Sequence, residues 1–386
     1  MKRSLTIAGA LALGAAPAFA GGIERAPQSL NVLFEKGNYA ELSFGGASPK
    51  VEGKDIAGFK TGDVAQGYGF FGLAYKHQFN DNLSAAIIVE QPFGADIRYP
   101  QKPAPLPAYD VLDGTRVQVD STTYTGLLRY KFDNNFSVHG GIRASHANGK
   151  VTLQGAAYQG IGGYYDLDID GAWGVGWVAG VAYEIPDIAG RVSLTYNSPI
   201  EHDFDMTESG PAFLAATGGA TDTVKGKHKV KTPRSWTLEG QTGVAPDTMV
   251  FGSIRWVKWS EFKVDNALFP IATPAGDVQL VSLTDTTTYT LGVGRKFNDN
   301  WSGSAAFVYE PSKGSKISPL APYNGRNGVT LAAIYTQDKM KITTGINYSK
   351  LGGTSLGVGP DSNKTKVATM DDGEVWGIGV RVGYSF

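Results

Sequence analysis

Two spacings in the chain could carry catalysis, and both fail on context. Gly353-Thr354-Ser355-Leu356-Gly357 has the G-x-S-x-G spacing of a serine nucleophile. That chemistry needs a strained strand–turn–helix elbow, and the motif sits instead in a glycine-rich stretch from Gly352 to Asp371. Gly174-Val175-Gly176-Trp177-Val178-Ala179 imitates a dinucleotide fingerprint, whose glycines must open a helix after a strand; here the run lies inside unbroken alternation. The 5 histidines are scattered without metal-ligand spacing, and the absence of cysteine excludes a thiolate site or a disulfide framework. Asp166, Asp168 and Asp170 share one parity and could hold a hard cation, but they read more simply as the solvated end of a strand. Charges are near balance, 35 Lys+Arg against 36 Asp+Glu, without the basic stripe that nucleic acid requires. We therefore expect no enzyme, no cofactor, no metal and no nucleic-acid partner.

The elements that must position any binding residues are strands. Lys2 and Arg3, the apolar run Leu5 to Ala16 and Ala18-Phe19-Ala20 form a secretory signal over residues 1–20, which is excluded from fold reasoning. After Ala20 no stretch approaches the roughly 18 apolar residues of a membrane helix. Alternation dominates instead. From Tyr165 to Tyr183 the odd positions are apolar or aromatic, and the even ones are acidic at one end and small along the rest. Successive strand side chains point to opposite faces, so this reads as one long strand with a single greasy face, longer than the five or six residues usual in soluble sheets. The C-terminus repeats the pattern: Trp376, Ile378, Val380, Val382, Tyr384 and the terminal Phe386 share one parity.

Turns come in two kinds. Asn80-Asp81-Asn82, Asp133-Asn134-Asn135 and Asn298-Asp299-Asn300 are tight polar turns, which Asn and Asp favour by bonding their own backbone. Longer Pro-, Gly- and Ala-rich segments alternate with these short ones, the rhythm of a membrane barrel. The count gives an all-β, transmembrane antiparallel barrel of about fourteen strands, starting near Tyr39, Gln66, Leu83, Thr115, Phe136, Tyr164, Arg191, Gly226, Thr248, Val278, Trp301, Arg326, Met340 and Asp372. Residues 39–386 form the barrel and residues 21–38 a short N-terminal plug. Aromatics near the turns, such as Phe79, Phe132, Phe297 and Trp301, suit the membrane boundary.

Several segments resemble the FadL-type outer-membrane channels: Ala26 to Tyr39 before the first strand, Glu90 to Tyr99 in the third, Tyr196-Asn197-Ser198-Pro199-Ile200, Thr232-Pro233-Arg234-Ser235-Trp236, and Trp256 to Phe262. Together they cover most of the barrel. The resemblance implies a bacterial outer-membrane channel for passive uptake of long-chain fatty acids or other hydrophobic molecules. It also implies a plugging hatch, here truncated, since about eighteen residues separate Ala20 from the first strand and the family's Asn-Pro-Ala element is replaced by Arg25-Ala26-Pro27. The closing strand ending on Phe386 resembles the signal read by the barrel-assembly machinery. Outer-membrane lipid and lipopolysaccharide are the expected surroundings, and a monomer is the expected state.

On that reading, Pro92-Phe93-Gly94 forms a lateral opening, because proline cannot donate to a ladder and mid-strand glycine marks a bend. Phe213 and Leu214, in the apolar loop Pro211 to Ala216, capture the ligand, facing Tyr158 and Ile161. Cations in the lumen hold the carboxylate: Arg143, inward if Ile142 and Ala144 face lipid; Lys150, near the mouth; and Arg255, inward if Ile254 and Trp256 face out. Pairing with lumen acids such as Glu239 or Glu310 is the plainer role for each. The alternative function is a water-filled porin.

Overall fold

The structure, a computed structural model, describes residues 23–25, 29–101, 111–264, 266–267 and 278–386; the expected signal peptide lies outside them. Fourteen strands make one closed antiparallel barrel. They are β1 (Tyr39–Lys50), β2 (Tyr68–Gln78), β3 (Leu83–Glu90 and Gly94–Arg98), β4 (Arg116–Lys131), β5 (Phe136–Gln154), β6 (Tyr164–Ile185) and β7 (Gly190–Asn197 and Glu201–Ser209). The circle continues with β8 (Thr223–Lys231 and Ser235–Ala245), β9 (Thr248–Val257), β10 (Thr286–Lys296), β11 (Trp301–Glu310), β12 (Arg326–Gln337), β13 (Met340–Leu351) and β14 (Gly373–Ser385). β14 returns to β1 in unbroken register from Tyr39↔Ser385 to Lys50↔Glu374. Closure leaves no free edge, the condition for strands to cross hydrocarbon.

The short turns work as their sequences require. Asn80 Oδ1 accepts from the amides of Asn82 and Leu83, Asn134 Oδ1 from Phe136, and Asn298 Oδ1 from Trp301. The lower wall alternates cleanly: Leu42, Phe44, Trp173, Val175, Trp177, Leu291 and Ile378 are exposed, while Ser137, Thr123, Thr125, Ser193 and Thr195 are buried inside. An apolar exterior over a polar interior is the pattern of a barrel in lipid.

Two expectations need correction. β6 does not keep one greasy face. Its register against β5 shifts between Ala147 and Gly149, a bulge that puts one extra residue into β6. Below it Trp173, Val175, Trp177 and Tyr183 face lipid; above it Tyr165, Leu167 and Ile169 are buried in the core beneath the long loops. A one-residue slip exchanges the two faces of a strand, so Asp166, Asp168 and Asp170 point outward. The tenth strand starts at Thr286, not Val278, because Leu280 and Val281 leave the sheet and join the loop core.

Three strands are interrupted, each at a proline: Pro92 in β3, Pro199 in β7 and Pro233 in β8. At the long-loop end a small sheet of Gly53–Asp55, Thr354–Val358 and Thr365–Met370 roofs part of the opening. A six-residue helix, α1 (Pro211–Ala216), lies in another loop.

Candidate functional site

The break in β3 leaves a hole in the hydrogen-bonded wall. β2 and β3 pair only from Leu73↔Val89 down to Gln78↔Ser84. Above that, Tyr68 to Gly72 pair with β1 alone, and Gly94–Arg98 pairs with β4. The wall closes again at the top, where the Gln66 amide donates to Asp96 O (2.9 Å) and the Arg98 amide to Val64 O (2.8 Å). Between these points the link across is the Phe71 amide donating to the Gln91 side chain (3.1 Å). On the β4 side the break is closed: Ser121 Oγ accepts from the Phe93 amide and donates to its carbonyl.

The window is covered from inside by the N-terminal peptide. Glu24 bridges to Phe93 as a strand would, with Arg25 N donating to Pro92 O and Gly94 N to Ile23 O, both 2.8 Å. Arg25 stacks 4.7 Å over the Tyr68 ring and pairs with Asp120 at 2.9 Å. A Cβ on Gly94 would meet the Arg25 guanidinium, so a larger residue there would push that side chain from its present place. Glu24, almost wholly buried, is held by Arg255, whose guanidinium also donates to Ser235 Oγ (3.1 Å) and Thr237 Oγ1 (3.0 Å). Arg143 is buried within electrostatic reach of Glu90, Arg255 and Glu24. Beside this charged knot, Ile23, Phe93, Val257, Trp259, Phe262 and Leu283 form an apolar cluster.

The N-terminal segment also packs inside the short-turn end. The turn Asn31–Phe34 buries Val32 and Leu33. Phe34 lies between two guanidinium groups, Arg191 at 4.0 Å and Arg129 at 4.6 Å from its ring centre. Arg129 also pairs with Glu184 and donates to Leu33 O (3.1 Å); Arg191 donates to Asn31 Oδ1 (2.8 Å). Lys341 pairs with Glu35 (2.6 Å), and Lys76 donates to the Glu35 carbonyl (2.6 Å).

At the long-loop end lies a largely apolar cavity of about 570 Å³, within the range of small-molecule sites. Tyr158 and Ile161 line it together with Ile56, Leu280, Val358 and Val367. Burial pushes the Tyr158 phenol well above its ordinary pKa, so it stays neutral. A second, smaller cavity of about 30 Å³ lies against the peptide and the window, and Leu320 lines both.

The structure thus brings Pro92, Phe93, Gly94, Arg143 and Arg255 to one place. It does not bring Lys150 there: that side chain points outside, 3.8 Å from Asp166 and Asp168. Phe213 is fully buried in the loop core and Leu214 is exposed on α1; neither lines the cavity described above. Sequence reasoning missed Glu24, Phe34, Arg191 and Leu320.

The family model for "Outer membrane protein transport protein (OMPP1/FadL/TodX)" matches residues 35–386. The chain belongs to this family. It is 26% identical over 232 residues to the long-chain fatty acid transport protein of Salmonella typhi and 25% to that of Escherichia coli K12. These matches cover 55% of the chain and 50% and 49% of the relatives; the chain spans about half the length of the curated relatives it matches. A Pseudomonas aeruginosa FadL homologue superposes with a TM-score of 0.74 at 15% identity, and the Pseudomonas putida toluene transporter TodX with 0.65 at 14%, each over 92% of both chains. The OMPP1/FadL/TodX membership places the chain in the bacterial outer membrane, and the fourteen-stranded closed barrel matches the family's structures.

Proposed function

We propose that the chain is a passive uptake channel for long-chain fatty acids or related hydrophobic molecules, which enter between the long loops and leave sideways into the membrane between β2 and β3. The observation that carries this reading is the stretch of wall where Tyr68 to Gly72 find no ladder partner in β3. Its cover is a peptide rather than a strand.

The energetics favour a side exit. Burying a sixteen-carbon tail is worth on the order of 12 kcal/mol, so release into periplasmic water is strongly uphill, whereas release into lipid is nearly level. On the route below, Phe34 and its two arginines stand in the way. A cargo that passes Leu320 reaches the peptide at the window. There Glu24 occupies the Arg255 fork, and a cargo carboxylate that takes its place would free Ile23–Arg25 from Pro92-Phe93-Gly94. Arg143 adds positive potential to the same spot. Two relatives named as long-chain fatty acid transport proteins support this choice of cargo.

The test separates uptake from ion flow. Cells carrying the protein should accumulate labelled palmitate above an empty control, while the purified barrel in a planar bilayer should carry no large steady ion current. A large steady current without palmitate uptake would establish the water-filled porin instead.

A further inference from the structure

On the outside of the wall, across the barrel from the window, β8 and β9 pair residue for residue down a lipid-facing ladder. At its top the Lys258 amide donates to Arg234 O (3.1 Å). Below that come Trp236↔Trp256, Leu238↔Ile254 and Gly240↔Gly252. The outward side chains thus run from charged, through aromatic and aliphatic, to none at all. The two glycines floor an almost wholly apolar groove of about 580 Å³, walled by Val192, Leu238, Ile254 and Leu291. At the long-loop end Arg234 and Lys258 converge on one carboxylate: Arg234 Nε lies 2.8 Å and Lys258 Nζ 3.1 Å from Glu261. Two cations sharing one anion leave a net positive charge, and their side chains stay 41% and 38% exposed.

The spacing matches a lipid. A strand rises about 3.4 Å per residue, so Arg234 stands about 20 Å along β8 from Gly240, or about 15 Å along the membrane normal at the usual barrel tilt. That is one leaflet of a hydrocarbon core about 30 Å thick. Long loops lie outside the cell, so the leaflet is the outer one.

We propose that this face of β8 and β9 docks one lipopolysaccharide molecule: a phosphate of its glucosamine base sits on Arg234 and Lys258, and one acyl chain runs past Trp236 and Trp256 into the groove at Gly240 and Gly252. Charge-assisted hydrogen bonds from guanidinium and ammonium suit a phosphate. The tail follows from reach, since an outer-leaflet chain anchored at Arg234 ends where the wall is hollow. A second copy of the barrel fits less well, because a twofold partner on the same face would set these cations against their own copies. The site lies on the outer wall and does not depend on the uptake reading.

The test titrates the full-length barrel in detergent micelles with deep-rough lipopolysaccharide, with the same lipid stripped of its phosphates, and with phosphatidylglycerol. Native mass spectrometry counts the bound lipid. One lipopolysaccharide should be retained, the other two lipids being held about tenfold more weakly. Arg234→Gln with Lys258→Gln should weaken lipopolysaccharide on the order of twentyfold, roughly fivefold for each surface cation, and should erase its lead over the stripped form. Glu261→Gln separates binding from mere support. It removes the competing carboxylate, so lipopolysaccharide should bind about fivefold tighter; no gain would mean that the two cations serve only to hold Glu261. Gly240→Phe should weaken the phosphorylated and stripped forms alike. A Cβ there meets no atom nearer than Arg191 O at 4.0 Å, so the variant can fold, which heat-modifiable migration on gels checks. Equal binding of all three lipids would overturn the site. So would unchanged retention in the double variant and in Gly240→Phe, or dimers in place of bound lipid.

Discussion

β7 and β8 break at Pro199 and Pro233, side by side, and β3 breaks at Pro92, yet only the last leaves an opening. At the first pair the neighbours mend the gap. Ser198 N donates to Trp177 O (2.9 Å), Trp177 N donates to Ser198 Oγ (2.8 Å), and Thr232 N donates to Ile200 O (2.9 Å). At Pro92 the β4 side is mended by Ser121, but β2 reaches across only through the Phe71 amide to the Gln91 side chain and otherwise pairs with β1 there. A proline in a strand therefore does not by itself open the wall. The proposed exit lies where one neighbour fails to re-pair and a peptide takes its place.

The largest effect should come from restoring the ladder. Gln91, Pro92 and Phe93 lie opposite two β4 residues, Ser121 and Thr122. Deleting Pro92 alone matches two to two, so β3 can run straight; palmitate uptake by cells should fall to background while the barrel keeps its heat-modifiable migration on gels. Next is Arg255→Met. It strands the buried Glu24, which should cost about 3–5 kcal/mol of peptide docking, and should be read as faster hydrogen exchange and tryptic cleavage at Arg25. Phe34→Ala removes two cation–π contacts worth roughly 1–2 kcal/mol each when desolvated, and single-channel recording should show brief openings absent from the parent. The smallest effect belongs to the mended breaks: Pro199→Ala with Pro233→Ala should change thermal stability by less than about 0.5 kcal/mol and leave uptake as it was.

How far the sequence spoke for itself follows from the same physics. Strand starts at Tyr39, Leu83, Phe136, Tyr164, Thr248, Trp301, Arg326 and Met340 were readable, because the Asn/Asp turns are local and alternation is a short-range pattern. The β3 break was readable for the same reason, since proline acts on its own strand. The bulge in β6 was not, because it changes which face a residue takes without changing composition; the switch from Asp to Gly among the even positions around Gly171 was its trace. The docking of Glu24 on Arg255, 231 residues away in sequence, leaves no local mark. Nor does the outer cavity, whose wall is assembled from several loops.

The most direct measurement of the central claim staples the window shut. The protein has no cysteine, so Phe71→Cys with Gln91→Cys gives two unique thiols on either side of the gap, where backbone and side chain now meet at 3.1 Å. Joining them with a reducible bifunctional reagent should stop palmitate uptake, and reduction should restore it. Uptake that continues undiminished through the stapled wall would show that cargo leaves by another way.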